Sequence, residues 1–100
     1  MDNRIKIIAD YYGFTNQADQ LCEEAAEFIV ARHKLHRADK QGFNDIKEAY
    51  ENIKEEVADV IVVAEQLRYL LGKDVDCLID EKLSRQIRRM KKEHADEEQG

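Results

Sequence analysis

No proline occurs anywhere in this chain of 100 residues, so no position locks φ or removes a backbone donor from a helix interior. Glycine, the other common helix breaker, stands inside the chain only at Gly13, Gly42 and Gly72, with Gly100 at the end. The three interior glycines divide the sequence into four segments, each with apolar residues at helical rather than alternating spacing. The first covers about residues 2–12, with Ile5, Ile8 and Tyr12 on one side. The second covers about 16–38, after a cap at Thr15 or Asn16, and carries Ala18, Leu21, Cys22, Ala25, Ile29 and Leu35. A polar link, 39–44, leads to a long third segment, 45–71, whose stripe includes Ile46, Ala49, Ile53, Val57, Val60, Ile61, Leu67 and Leu71. Gly72 stands where a C-terminal cap belongs. The fourth segment opens near Asp74 and carries Val75, Ile79, Leu83, Ile87 and Met90. The β-branched run 57–64 lies inside a helical pattern far longer than a strand, and length favours helix. The expectation is an all-α, four-helix, bundle-like fold built on a long antiparallel hairpin of the second and third segments. Residues 1–92 form one domain in this reading, and 93–100 a charged tail that frays.

Composition narrows the function. With 43% hydrophobic and 38% charged residues, the chain is globular rather than disordered. No apolar run approaches the roughly 20 residues that span a bilayer, and the first residues, MDNRIKII, lack the apolar stretch of a secretory signal. Cys22 and Cys77 form no CxxC and read as small buried hydrophobes in a reducing compartment, which points to the cytoplasm. Sixteen basic against 22 acidic residues leave a net charge of −6. That sign repels a nucleic-acid backbone and suits metal cations. A domain of this size hides roughly 65% of its unfolded surface, so a second subunit adds useful burial.

The apolar stripes are interrupted at informative places. At 100° per residue, Glu56 projects between Val63 and Leu67, inside the apolar arc of the third segment, and Asp59 lies 60° further round. A carboxylate there loses hydration at a cost that something must offset. The second segment offers a matching i, i+3 pair, Glu24 and Glu27, flanking its apolar face. In an antiparallel hairpin all four can point into one space. Two carboxylates about 6 Å apart at an effective dielectric of about 20 repel by roughly 3 kcal/mol. Hard divalent cations with oxygen ligands relieve this, Mg²⁺ first and Mn²⁺ second. Zinc fits less well without a His or Cys, and a di-iron site would want Glu-x-x-His. In the fourth segment Lys82 and Arg89 border the apolar stripe and Gln86 lies in it, so cations there could hold phosphate oxygens. The alternatives are plain ones: Glu24 and Glu27 as a solvated helix face, Lys82 and Arg89 as edge residues with their heads in water, and Tyr11, Tyr12 and Phe14 as core or interface residues. Glu23 and Glu55 read as surface or supporting residues.

The segment 21–28, Leu-Cys-Glu-Glu-Ala-Ala-Glu-Phe, resembles the EExxE motif of the MazG-like all-α nucleoside triphosphate pyrophosphohydrolases. Residues 55–60, Glu-Glu-Val-Ala-Asp-Val, resemble the ExxD motif of that family's next long helix, and 82–90 is similar to its K-x-x-x-N-x-x-R element, with Gln86 in place of asparagine. The resemblance covers about residues 14–90. It implies an Mg²⁺-dependent enzyme that cleaves a nucleoside triphosphate to the monophosphate and pyrophosphate, with a MazG-type fold assembled as a homodimer or homotetramer. By the same resemblance Glu24, Glu27, Glu56 and Asp59 are the metal ligands, Lys82 and Arg89 contact phosphate, Gln86 sits near sugar or base, and Glu23 is a candidate to orient the attacking water. Tyr11, Tyr12 or Phe14 would serve the base, since the chain has no tryptophan. Two other functions remain open at this level: a phosphoribosyl-ATP pyrophosphohydrolase-like enzyme, and a helical interaction or regulatory module without turnover.

Overall fold

The computed structural model describes residues 1–99. It contains three helices: α1 (Asn3–Ala38), α2 (Phe43–Leu71) and α3 (Lys73–Gln99). The expected four-helix count is therefore corrected to three. The first two segments merge into α1, broken only at Gly13, whose φ of 80° and ψ of 172° are not helical. Only glycine takes this conformation without strain, and a Cβ there would meet nothing within 4 Å. Backbone conformation, not crowding, sets the residue. The expected N-cap at Thr15 or Asn16 is replaced by a different device: the Asn16 amide donates back to the Tyr12 carbonyl at 2.8 Å, satisfying an acceptor beside the break. At the true start of α1, Asp2 caps the helix by accepting from the Arg4 N–H at 2.9 Å. Hydrogen bonds from Arg4 also hold the Asp2 carboxyl down at a pKa of about 2.

The chain forms two compact units, Met1–Leu70 and a second from Leu71 onward. In the first, α1 and α2 pack as an antiparallel hairpin. As α1 advances, its partners on α2 recede: Gln17 bonds Gln66, Glu27 meets Glu56, and Leu35 packs with Ala49. Near the turn, Leu35, Ala38 and Ala49 form a buried cluster flanked by Ile46 and Ile53. Ala31, Ala38 and Ala49 are small, which favours close approach of the two axes. Further along, Val63 and Leu67 are buried beside the amide pair Gln17 and Gln66. A buried amide without its partner is costly, so this pair penalises a slip in register. Residues before the Gly13 break also join the hairpin: Ala9 is fully buried, and the Tyr69 hydroxyl donates to Asp10 at 3.0 Å. That bond raises the Tyr69 pKa.

Gly72, with φ of 90°, is the single residue between α2 and α3, as a left-handed C-terminal cap requires. In the second unit α3 has no buried residue. Its helical backbone runs through the charged segment to Gln99. Gly100 lies outside the described residues. Among the described residues no helix is long and apolar enough to cross a membrane.

Candidate metal centre

Two turns of α1 and two of α2 build the acidic site. Glu24 and Glu27, three residues apart, share one side of α1, and Glu56 and Asp59 share the opposing side of α2. Each contributes a carboxylate oxygen, and these oxygens all lie within 4.8 Å of one another. Glu24 and Glu56 are half-buried, whereas Glu27 and Asp59 are exposed. The intrusion of Glu56 into the apolar arc is realised, since Val63 and Leu67 on the same arc are buried.

The electrostatics match the crowding. The charge of Glu24, then that of Glu56, raises the Glu27 pKa above its ordinary 4.5, and partial burial adds to the effect. Two oxygens, Oε2 of Glu24 and Oε2 of Glu56, are shielded from solvent and have no hydrogen-bond partner. Buried anionic acceptors without donors are expensive. A hard divalent cation meets this donor set, with carboxylate oxygens from two helices, two of them unsatisfied and none carrying a competing donor. The four residues thus fit Mg²⁺ or Mn²⁺ chemically.

One supporting residue was not foreseen. Gln20, one turn before Glu24, donates its amide to Glu24 Oε1 at 2.7 Å. This occupies one carboxylate oxygen, while the other, Oε2, is shielded and unpaired. Its i−4 spacing from Glu24 is the signal that marks it in the sequence. Glu23 is exposed and lines a recess of about 570 Å³ with Tyr12, Asn16 and Gln20. Tyr11 and Tyr12 stack edge to face at 4.9 Å, and with Phe14 they are half or more exposed rather than in the core.

The remaining expected residues, Lys82, Gln86 and Arg89, are exposed on α3 in the second unit. Lys82 lines a cavity of about 290 Å³ there with Arg85 and Arg88. Cys22 and Cys77 are free thiols, and both are exposed. This corrects the expectation of buried cysteines: Cys22 sits on the side of α1 next to exposed Glu23, off the face turned to α2, and α3 buries nothing.

Fold and site together define an all-α hairpin carrying a four-carboxylate cluster able to hold a metal ion. Compared with family models, curated proteins and solved structures, the chain shows no significant match.

Proposed function

We propose that the protein is a Mg²⁺-dependent nucleotide pyrophosphohydrolase, cleaving a nucleoside triphosphate to the monophosphate and pyrophosphate. One observation carries this reading: four carboxylates from two helices converge within 4.8 Å, with two shielded oxygens left without partners. Acids held together at such cost are explained by a cation, and a cation held only by carboxylates serves phosphoanhydride chemistry. The likeness of residues 21–28 and 55–60 to the EExxE and ExxD motifs of MazG-like enzymes supports the same conclusion.

Glu24, Glu27, Glu56 and Asp59 would hold the metal. When bound, Mg²⁺ neutralises phosphate charge and polarises the phosphorus toward water. Gln20 fixes the Glu24 carboxylate through one oxygen and leaves the other unpaired. Glu23, exposed beside the cluster, orients the attacking water. Lys82 and Arg89 contact phosphate, and Gln86 the sugar or base, by the resemblance alone. Exposed Ile29, Ile61, Leu83 and Met90 support a homo-oligomer, since apolar side chains on both units await cover. Two free thiols suit the cytoplasm.

The test is pyrophosphate release across canonical and damaged nucleoside triphosphates and phosphoribosyl-ATP, with and without Mg²⁺. Mg²⁺-dependent turnover of a nucleoside triphosphate, lost in Glu56→Gln, is the expected result. Turnover confined to phosphoribosyl-ATP would move the enzyme to that substrate. Neither turnover nor a Mg²⁺-dependent rise in melting temperature would leave a helical interaction module.

A further inference from the structure

We infer that the groove beyond the acidic cluster, between Lys34 of α1 and Asn52 of α2, is the polyphosphate end of the substrate site, with Lys34 as its phosphate-binding cation. This deepens the pyrophosphohydrolase reading and rests on it.

A cavity of about 280 Å³ is lined by Glu27 and Glu56 together with Val30, Ala31, Lys34 and Asn52. The acids of the cluster and a lysine therefore share one recess of the hairpin. Along the axes, Lys34 lies about 10 Å beyond Glu27 and Asn52 about 6 Å from Glu56, in the same direction. Helical side chains lean toward the N-terminus, so the Lys34 stem leans back toward Glu27. A neighbouring cavity of about 390 Å³ shares Lys34 and Asn52 and adds Arg37 together with Asp45 and Glu48, so the recess continues away from the cluster with a second cation in its lining.

Charge identifies the ligand. In a protein of net charge −6, with many acids available, Lys34 forms no ion pair among the described residues. Asp45 and Glu48 share the further cavity with both Lys34 and Arg37, yet neither forms an ion pair with Lys34 among the described residues. An ammonium group offers three donors and no acceptor, and the Asn52 amide adds two donors and one acceptor. Donors next to a divalent-cation site match the oxygens of a phosphate chain whose other oxygens meet the metal. The opposite side of the cluster differs. There Tyr12 lines the recess that also holds Glu23, offering an aromatic face to a base. The acidic cluster thus lies between a recess holding an aromatic ring and a groove holding Lys34, and the substrate runs along the hairpin with its nucleoside toward Tyr12 and its terminal phosphates toward Lys34.

Calorimetry on the full chain tests this, first with Mg²⁺ alone, then with inorganic pyrophosphate at saturating Mg²⁺. Lys34→Ala should weaken pyrophosphate binding by about tenfold or more and leave Mg²⁺ affinity unchanged, while Lys34→Arg keeps most of it. Arg32→Ala, removing one positive charge from an exposed position of the same helix outside the groove, should bind as the wild type does. Alanine favours helix, and thermal melting confirms that each variant is folded. If Mg²⁺ binds but Lys34→Ala holds pyrophosphate as tightly as wild type, the groove assignment falls and the metal reading stands. The same holds if Arg32→Ala loses as much, or if wild type binds no pyrophosphate. If Mg²⁺ itself does not bind, the metal reading fails and takes this inference with it.

Discussion

The α2 and α3 helices are similar in length, 29 and 27 residues, and both carry apolar residues at helical spacing. Yet α2 buries Ala49, Val63, Gln66 and Leu67, while α3 buries none. The difference lies in neighbours rather than in pattern. Facing α2 within one compact unit is α1, which supplies small alanines, a matching amide and two glutamates. A helical stripe states which side will be buried if a partner comes. It does not supply the partner, and most helical stability in proteins comes from packing such a face. The same contrast separates the two sets of charged residues. Carboxylates on the paired helices are forced together, with consequences for hydration and pKa, whereas Lys82, Gln86 and Arg89 on α3 are exposed.

Substitutions on either side of this contrast can break it. The largest effect is expected for Glu56→Gln. Turnover should fall by about a hundredfold or more, as for loss of a principal electrostatic group. The metal-free protein should melt higher, because a crowded negative charge is gone, and added Mg²⁺ should no longer raise the melting temperature. Unchanged Mg²⁺ stabilisation in that variant would remove Glu56 from the ligand set. Next comes the core. Leu67→Ala should cost about 2–3 kcal/mol in denaturant unfolding, against less than about 0.5 kcal/mol for Leu83→Ala on α3 in dilute protein. Equal costs would mean that Leu83 is covered after all, by a second copy at the concentration used. Gln20→Leu should lower Mg²⁺ affinity about tenfold, the usual scale for a residue that orients a ligand, and barely alter helicity by circular dichroism.

The smallest effect is on pH. Glu27 has a folded pKa raised above 4.5 by neighbouring negative charges. Between its unfolded and folded values the native state binds more protons, so stability falls as pH rises through that window. Metal-free protein should therefore gain stability on mild acidification from neutrality, down to the ordinary glutamate range. Asp2 acts oppositely and lower: its stabilising contribution is present above about 3.8 and is lost as pH falls toward about 2. Mg²⁺ competes with the proton at Glu27, so melting curves with and without Mg²⁺ should differ most at neutral pH. Curves that stay parallel as the pH falls would detach the metal from this carboxylate.

Much of this was legible in the residues. The end of α2 at Leu71 and the cap at Gly72 follow from the loss of periodicity and from a residue that accepts positive φ. The polar segment around Gly42 marks the hairpin turn. The intrusion of Glu56 into an apolar arc follows from angle alone. Gly13 was legible as a break but not as an incomplete one. Helix resumes at once because Asn16 serves the Tyr12 carbonyl, a local bond that periodicity does not encode. Exposure of Cys22 was not legible either, since a cysteine beside a stripe is apolar enough for the core and small enough for the surface.

By itself, the order of residues determined that the chain is helical, where α1 and α2 end, and which carboxylates share a side of each, because these depend on interactions a few positions apart. Only the folded hairpin decided that Glu24 and Glu27 meet Glu56 and Asp59, that Gln20 takes one oxygen of Glu24, and that Lys34 and Asn52 share a recess with the acids. Those relations depend on register between segments distant in the chain. Register is set by the packing of Leu35 on Ala49 and the pairing of Gln17 with Gln66, contacts that exist only once the two helices lie side by side.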